Sequence, residues 1–139
     1  MRSRLRALAQ RRTSFAFEST LAGRLLAGWL GEVIEHGDSL HVLFLWLPSA
    51  EAALGRVARR VRDGGHDVPE ETVRRRYTRG LRNFFELYQP LATTWRMHDA
   101  SDVETGSAGM THPLIAEGRG ANVTLVNDQP TWNHIQRHL

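Results

Sequence analysis

The stretch LHVLFLWL, residues 40–47, followed by PSAEAALGRVARRVRDGGHDVPEETVRRRYTRG, residues 48–80, decides the fold. Its first eight residues are almost wholly apolar. That is the pattern of a central parallel strand covered on both faces. Pro48-Ser49 ends the strand, and the 3.6-residue spacing of Leu54, Val57, Ala58 and Val61 predicts a helix over about 50–62. Gly64-Gly65 breaks that helix. Pro69 is well placed to open the next, which runs to about Tyr88 on the stripe Val73, Tyr77, Leu81, Phe84 and Tyr88.

Toward the N-terminus, residues 14–17 (SFAF) read as a strand, and residues 2–12 as a short surface helix with Leu5, Leu8 and Ala9 at helical spacing. Ser19 or Thr20 can cap a helix whose stripe is Leu21, Leu25, Trp29 and Val33, widened by Leu26, Leu30 and Ile34 and stopped at Gly37. Toward the C-terminus come a short strand at about 95–98, strands at about 113–117 and 122–127 joined as a hairpin, and a last helix over 130–138. Strands alternating with helices predict one α/β domain over residues 1–139 with parallel pairing. In such sheets function gathers at the carboxyl ends of strands. Glu18, Pro48-Ser49 and Asp99 lie at those ends in this reading.

Composition removes several chemistries. There is no cysteine, which excludes disulfides, thiolate nucleophiles and cysteine-based zinc sites. All 18 basic residues are arginine, so Schiff-base lysines and lysine general bases are excluded as well. No apolar run approaches the roughly 20 residues of a membrane span, and residues 1–12 lack the apolar core of a secretory signal. A cytoplasmic protein without a membrane partner is the expectation. The net charge is only +3, so the arginines matter by position rather than by sum. The seven histidines are scattered, and His134 and His138 alone stand four apart without a third ligand nearby, so no metal site is expected.

Helical wheels sort the arginines. Arg56 and Arg60 flank the apolar stripe of the 50–62 helix, while Arg59 and Arg62 point to solvent. On the following helix Arg76, Gly80 and Asn83 form one shoulder of the stripe and Arg74 lies on the other. Arg75 and Arg82 face away. A charge run of this kind is commonly a solvated face. Arginines at the margin of a core, on both sides of a glycine corner, are also the geometry of a lid closing on phosphate.

Three stretches together resemble the zeta-toxin-like P-loop kinases: residues 14–24 (SFAFESTLAGR), residues 43–88 and residues 95–101 (WRMHDAS). The pattern RVxxGGHxVPxxxxxRRY over residues 60–77 is the most specific part. The resemblance implies a three-layer α/β/α fold with a mostly parallel sheet, a lid at about 60–80, ATP with Mg2+, and phosphoryl transfer to a small-molecule acceptor, in the founding toxins a UDP-amino-sugar. By position it implies catalytic roles for Arg60, Arg76 and Glu18, and cofactor contacts from Arg56, Arg75 and Asp99. His66 falls in the lid turn.

The sequence also departs from that family. No G-x-x-x-x-G-K-[ST] loop is present and no lysine could complete one. Ser19 stands for the usual threonine, Ala100 for the usual asparagine, and DVETGSAGMTHP at 102–113 looks like an insertion. These departures imply a truncated member, inactive alone, with the apolar strands at 14–17 and 41–47 under-covered. Its partner would be a separately encoded phosphate-loop half or an antitoxin. Two other readings stay open: an accessory subunit that completes such a half, and an arginine-rich module for a partner or nucleic acid. The small net charge and the few aromatics among the arginines argue against nucleic acid.

Overall fold

The structure, a computed structural model, describes residues 2–101 and 112–139. The elements in chain order are α1 (Arg2–Gln10), α2 (Arg24–Glu35), β1 (His41–Trp46), α3 (Ala50–Arg62), α4 (Glu70–Asn83), a π-helical turn (Phe84–Tyr88), β2 (Thr94–Asp99), β3 (Leu114–Arg119), β4 (Asn122–Val126) and α5 (Gln129–Arg137). The sheet order is β1-β2-β3-β4. β1 and β2 are parallel, with Val42 beside Trp95 and Phe44 beside Met97; β2–β3 and β3–β4 are antiparallel.

The core lies on one face of this sheet. Phe84, Trp95, Met97, Ile115 and Ala116 are inaccessible or nearly so, joined by Trp46, Trp132 and Ile135, with Val42 and Phe44 packed against them. Trp95 stacks on Trp132 at 6.0 Å and meets Phe84 edge-on at 5.8 Å. Its indole N–H is satisfied by the Gly120 carbonyl at 2.9 Å. A second cluster is built from Ala27 and Leu30 of α2 and from Tyr88, with Phe17 and Leu91 alongside. The π-helical turn serves both clusters. Its wide hydrogen bond, Gln89 N–H to the Phe84 carbonyl at 2.7 Å, lets Phe84 point into the sheet core and Tyr88 into the second cluster.

The helices over about 50–62 and 70–88 and the C-terminal hairpin form where the periodicity places them. Three expectations are corrected. β1 is an edge strand, not a central one, and its alternation is one-sided: Val42, Phe44 and Trp46 face the core while Leu43 and Leu45 stay 64% and 42% exposed. Among the described residues parallel pairing holds for β1–β2 alone, because the turn at 120–121 folds β3 and β4 into a hairpin and β3 returns beside β2 in the opposite sense. Residues 14–17 form no strand. Phe17 packs on the second cluster and Phe15 stacks on Phe17 at 6.3 Å, so helix contacts absorb their apolar surface. In α3 no residue is fully buried and Val61 is 37% exposed, since the helix packs chiefly on α4. The insertion read at 102–113 falls almost wholly outside the described residues.

Gly118 marks the tightest point of the core. A Cβ there would stand 2.6 Å from the Trp95 ring and collide with the Asn122 carbonyl oxygen. Gly118→Ala is expected to destabilise the fold by about 2 kcal/mol, a fall of roughly 5 °C in melting temperature, measured by thermal circular dichroism.

Candidate functional site

The segment Glu18–Gly23 owes its path to α4 and the π-helical turn. Ser19 Oγ accepts the Leu21 N–H at 3.1 Å, closing a short hydroxyl turn. Leu21 takes φ 54°, left-handed backbone that costs a branched residue about 1–2 kcal/mol. Three contacts hold it there. The Thr20 carbonyl lies directly on Gly80, where a Cβ would collide with it. Asn83 Nδ2 donates to the Leu21 carbonyl at 2.8 Å, and Tyr88 Oη donates to the Gly23 carbonyl at 2.6 Å. The Leu21 side chain packs against both apolar clusters. Backbone strain over-determined in this way is characteristic of sites where geometry must be kept.

This segment forms one wall of a cleft of about 660 Å³, lined by Glu18, Ser19, Thr20, Ala22, Gly23, Arg75, Arg76 and Arg79. The guanidinium groups of Arg75, Arg76 and Arg79 make no ion pair and no hydrogen bond among the described residues. Arg75 and Arg79 stand four apart, where like charges on a helix repel. Gly23 is also the N-cap of α2 and supplies no side-chain cap, so the positive end of that helix adds to the field in the cleft. With Glu18 as its one carboxylate, the lining carries a net positive charge. Arg74, which does not line the cleft, binds Glu51 at 2.6 Å and Glu70 at 2.8 Å, pinning α3 to α4. That hydrogen bond from Arg74 holds the Glu51 carboxyl below its ordinary pKa.

A second cleft, of about 570 Å³, is lined by Arg56, Arg59, Arg60, Asp63, Gly64, Gly65 and His112. Arg56 reaches the carboxyl end of the parallel pair, its Nη2 donating to the Ala100 carbonyl at 2.8 Å. Its Nε is buried without a hydrogen-bond partner among the described residues, and burial lowers the guanidinium pKa. Arg60 folds over the glycine corner, its Nη2 3.4 Å from the His66 carbonyl. Asp99 turns back on its own loop, accepting from Ser101 N–H at 2.8 Å and Ser101 Oγ at 2.6 Å.

The structure therefore brings Glu18, Arg75 and Arg76 together and places Arg56 and Arg60 in a separate cleft. Asp99 lies near the second cleft through Ala100, without lining it. The shoulder Arg76, Gly80, Asn83 is the face that meets the Glu18–Gly23 segment, through Gly80 and Asn83. Arg75, which the wheel turns away, also reaches the cleft. Arg79 joins them, and its sequence signal is the four-residue step from Arg75 onto the same face. Among the described residues no group of three or more His, Cys, Asp or Glu could hold a metal ion. His134 and His138 have their rings 4.3 Å apart, with the His138 Nδ1 at 2.8 Å from the His134 carbonyl. No described helix is long and apolar enough to cross a membrane.

No family model matches the sequence, and no solved structure matches it. A curated protein of Haemophilus influenzae, described as an uncharacterized protein, is 33% identical over 63 residues. The match covers 45% of this chain and 45% of that relative, so the similarity spans less than half the length of either.

Two glycines in helix interiors separate contact from propensity. Gly55 of α3 has open space around its missing Cβ, so Gly55→Ala is expected to stabilise by about 0.5–1 kcal/mol. Gly80→Ala is expected to destabilise by about 2 kcal/mol despite the better helix former, because the Thr20 carbonyl must move. Urea unfolding of both variants tests the pair, and equal effects would remove Gly80 as the anchor of the cleft wall.

The two tyrosines give a pH signature. Tyr77 Oη donates to the Leu47 carbonyl at 2.9 Å and Tyr88 Oη to that of Gly23. Burial raises both phenol pKa values, and the charge of Glu51 adds to the rise at Tyr77. A raised folded pKa favours the neutral phenol. Its stabilisation is fully present below the unfolded value of about 10 and is lost as pH rises through the folded value. Phenolate absorbance is expected to titrate at higher pH in the native protein than in denaturant. Tyr77→Phe should remove one of the two delayed steps.

Proposed function

We propose that this chain is the lid-bearing part of a zeta-toxin-like phosphotransferase and that the cleft between Glu18 and α4 binds the phosphate groups of a ligand. The observation that carries this is the set of three guanidinium groups, Arg75, Arg76 and Arg79, unpaired among the described residues and facing a carboxylate across about 660 Å³. Guanidinium forks that repel one another along a helix gain most from an anion between them. In this reading Arg76 and Arg75 grip phosphate oxygens, and Glu18 faces the acceptor hydroxyl or the water shell of Mg2+. Arg60 and Arg56, with Asp99 nearby, serve the nucleotide side at the end of the parallel strands.

The residues present fit the phosphate portion of ATP and leave the rest to another polypeptide segment. Among the described residues Arg56 Nε is a buried donor without a partner, suited to an acceptor on a nucleotide. Glu18 can reach Mg2+ through water, with phosphate oxygens completing the shell. ATP supplies the phosphoryl group; a phosphate-loop lysine has to come from outside these 139 residues, which contain none. The three-layer sheet of the resembled family would then be completed by that second segment. The first reading is thus a cleft that positions phosphates without turnover by the chain alone.

The test is calorimetric binding of inorganic tripolyphosphate and of ATP, with and without magnesium. Arg76→Lys should weaken tripolyphosphate about tenfold, the loss of one charge-assisted hydrogen bond. Arg82→Lys, on the exposed side of α4, should leave it unchanged. Equal effects of the two substitutions, or no binding to the parent chain, would sink the proposal. Preference for single-stranded DNA with a steep salt dependence would instead favour the nucleic-acid module.

A further inference from the structure

The face of the sheet turned away from the aromatic core carries a row of side chains that complements itself when reversed. Leu43 of β1 stands beside Arg96 of β2, Arg96 beside Glu117 of β3, and Glu117 beside Leu125 of β4. Registered neighbours project to the same side of a sheet. One line across all four strands therefore reads Leu, Arg, Glu, Leu. Its ends are exposed, Leu43 at 64% and Leu125 at 46%, and Leu45 in the next row is 42% exposed. At its centre Arg96 Nε donates to Glu117 Oε2 at 2.9 Å, with the arginine side chain 65% exposed.

We propose that this face is the interface of a two-fold dimer, formed with a second copy of the same chain. A half-turn about an axis parallel to the strands, between β2 and β3, lays β1 of one copy over β4 of the other and β2 over β3. Leu43 then meets Leu125 of the second copy at both ends of the row. Arg96 meets the second copy's Glu117, and Glu117 meets the second copy's Arg96. Each charge gains a second opposite charge, so the central pair is buried in a ring of alternating sign.

Other occupants fit less well. A purely apolar partner would desolvate Arg96 and Glu117 with nothing added to either. A partner of one charge sign would repel one member of the pair. The strand spacing of about 5 Å and the rise of about 3.4 Å per residue give a face of roughly 400 Å² per copy. That is about half of a standard interface, so the dimer is weak, with a dissociation constant on the order of 100 μM. The arginine cleft plays no part in this interface, and binding of tripolyphosphate there is a separate measurement.

Sedimentation velocity across a concentration series up to about 1 mM reads the association directly. The parent chain is expected to show a reversible monomer–dimer equilibrium. Arg96→Glu makes the row Leu, Glu, Glu, Leu, and Glu117→Arg makes it Leu, Arg, Arg, Leu. Each variant alone should be monomeric. An equimolar mixture should associate about tenfold more tightly than the parent, because the diagonal neighbours across the interface, like-charged in the parent, are then opposite as well. A pair serving only to brace β2 against β3 would give no such gain on mixing. A parent that stays monomeric throughout would overturn the proposal. So would a mixture that fails to associate while both variants keep the parent circular dichroism. Should either charge variant fail to fold, Leu43→Gln with Leu125→Gln leaves the ion pair intact. That double variant should be monomeric, and its dimerisation would overturn the interface.

Discussion

The packing of Trp95 between Phe84, met edge-on, and Trp132, on which it stacks, is the contact on which the rest of the molecule depends. Trp95 sits on the interior strand β2, 1% exposed, and unites sheet, π-helical turn and α5 through ring contacts near 6 Å. Large aromatic surfaces bury more than any other side chain and favour tilted or offset geometry. Here that geometry demands room on β3, and Gly118 supplies it beside the Trp95 ring. It also demands a polar end-point, which the Gly120 carbonyl supplies to the indole N–H. The hairpin turn is thereby tied to the core by the residue that organises it.

From this anchor the cleft follows by a chain of positions. Phe84 fixes the end of α4, and the π-helical turn rotates Tyr88 away from the sheet toward α2. Tyr88, Asn83 and Gly80 then present a donor, a donor and an empty space to the carbonyls of Gly23, Leu21 and Thr20. The backbone bends through the left-handed Leu21, and the wall it makes faces Arg75, Arg76 and Arg79. The arginines lie on the solvated side of α4, so their charges cost little desolvation. Arg74, on the other shoulder of the same helix, is neutralised by Glu70 of α4 and by Glu51 of α3. An electropositive hollow is left where the apolar clusters hold its two walls at a set separation.

Much of this was legible before any coordinates. The stripe Val73–Tyr77–Leu81–Phe84–Tyr88 gives the buried side of α4, while the contacts of its shoulder residues Gly80 and Asn83 with Thr20 and Leu21 come from the fold. What eluded the sequence is context beyond local period. The uninterrupted apolarity of residues 40–47 reads as burial on both faces, yet nothing in a strand's own residues tells whether a neighbour covers its second face. Phe15 and Phe17 alternate like a strand, but their rings find burial against each other and the second cluster without a ladder. Arg60 and Arg76 flank one corner in sequence, while the step between α3 and α4 carries them to different hollows.

The arginine cleft and the Leu–Arg–Glu–Leu row lie on opposite layers, so a phosphate ligand in the cleft does not cover the row. α4 and the π-helical turn cover the core side of the sheet, and the arginine cleft opens on that helical layer. The Leu–Arg–Glu–Leu row lies on the bare side. A second copy seated on the bare side would leave both arginine clefts accessible. It would also leave the outer edge of β1 with its backbone groups unpaired, since a face-to-face dimer takes up side chains and not the ladder. An added strand from another polypeptide segment could therefore join β1 at the same time. The one arrangement that sets the two in competition is a segment whose helices also cross the bare face. In that case Leu43 and Leu45 would be covered by that segment rather than by a second copy, and Arg96 and Glu117 would keep only each other.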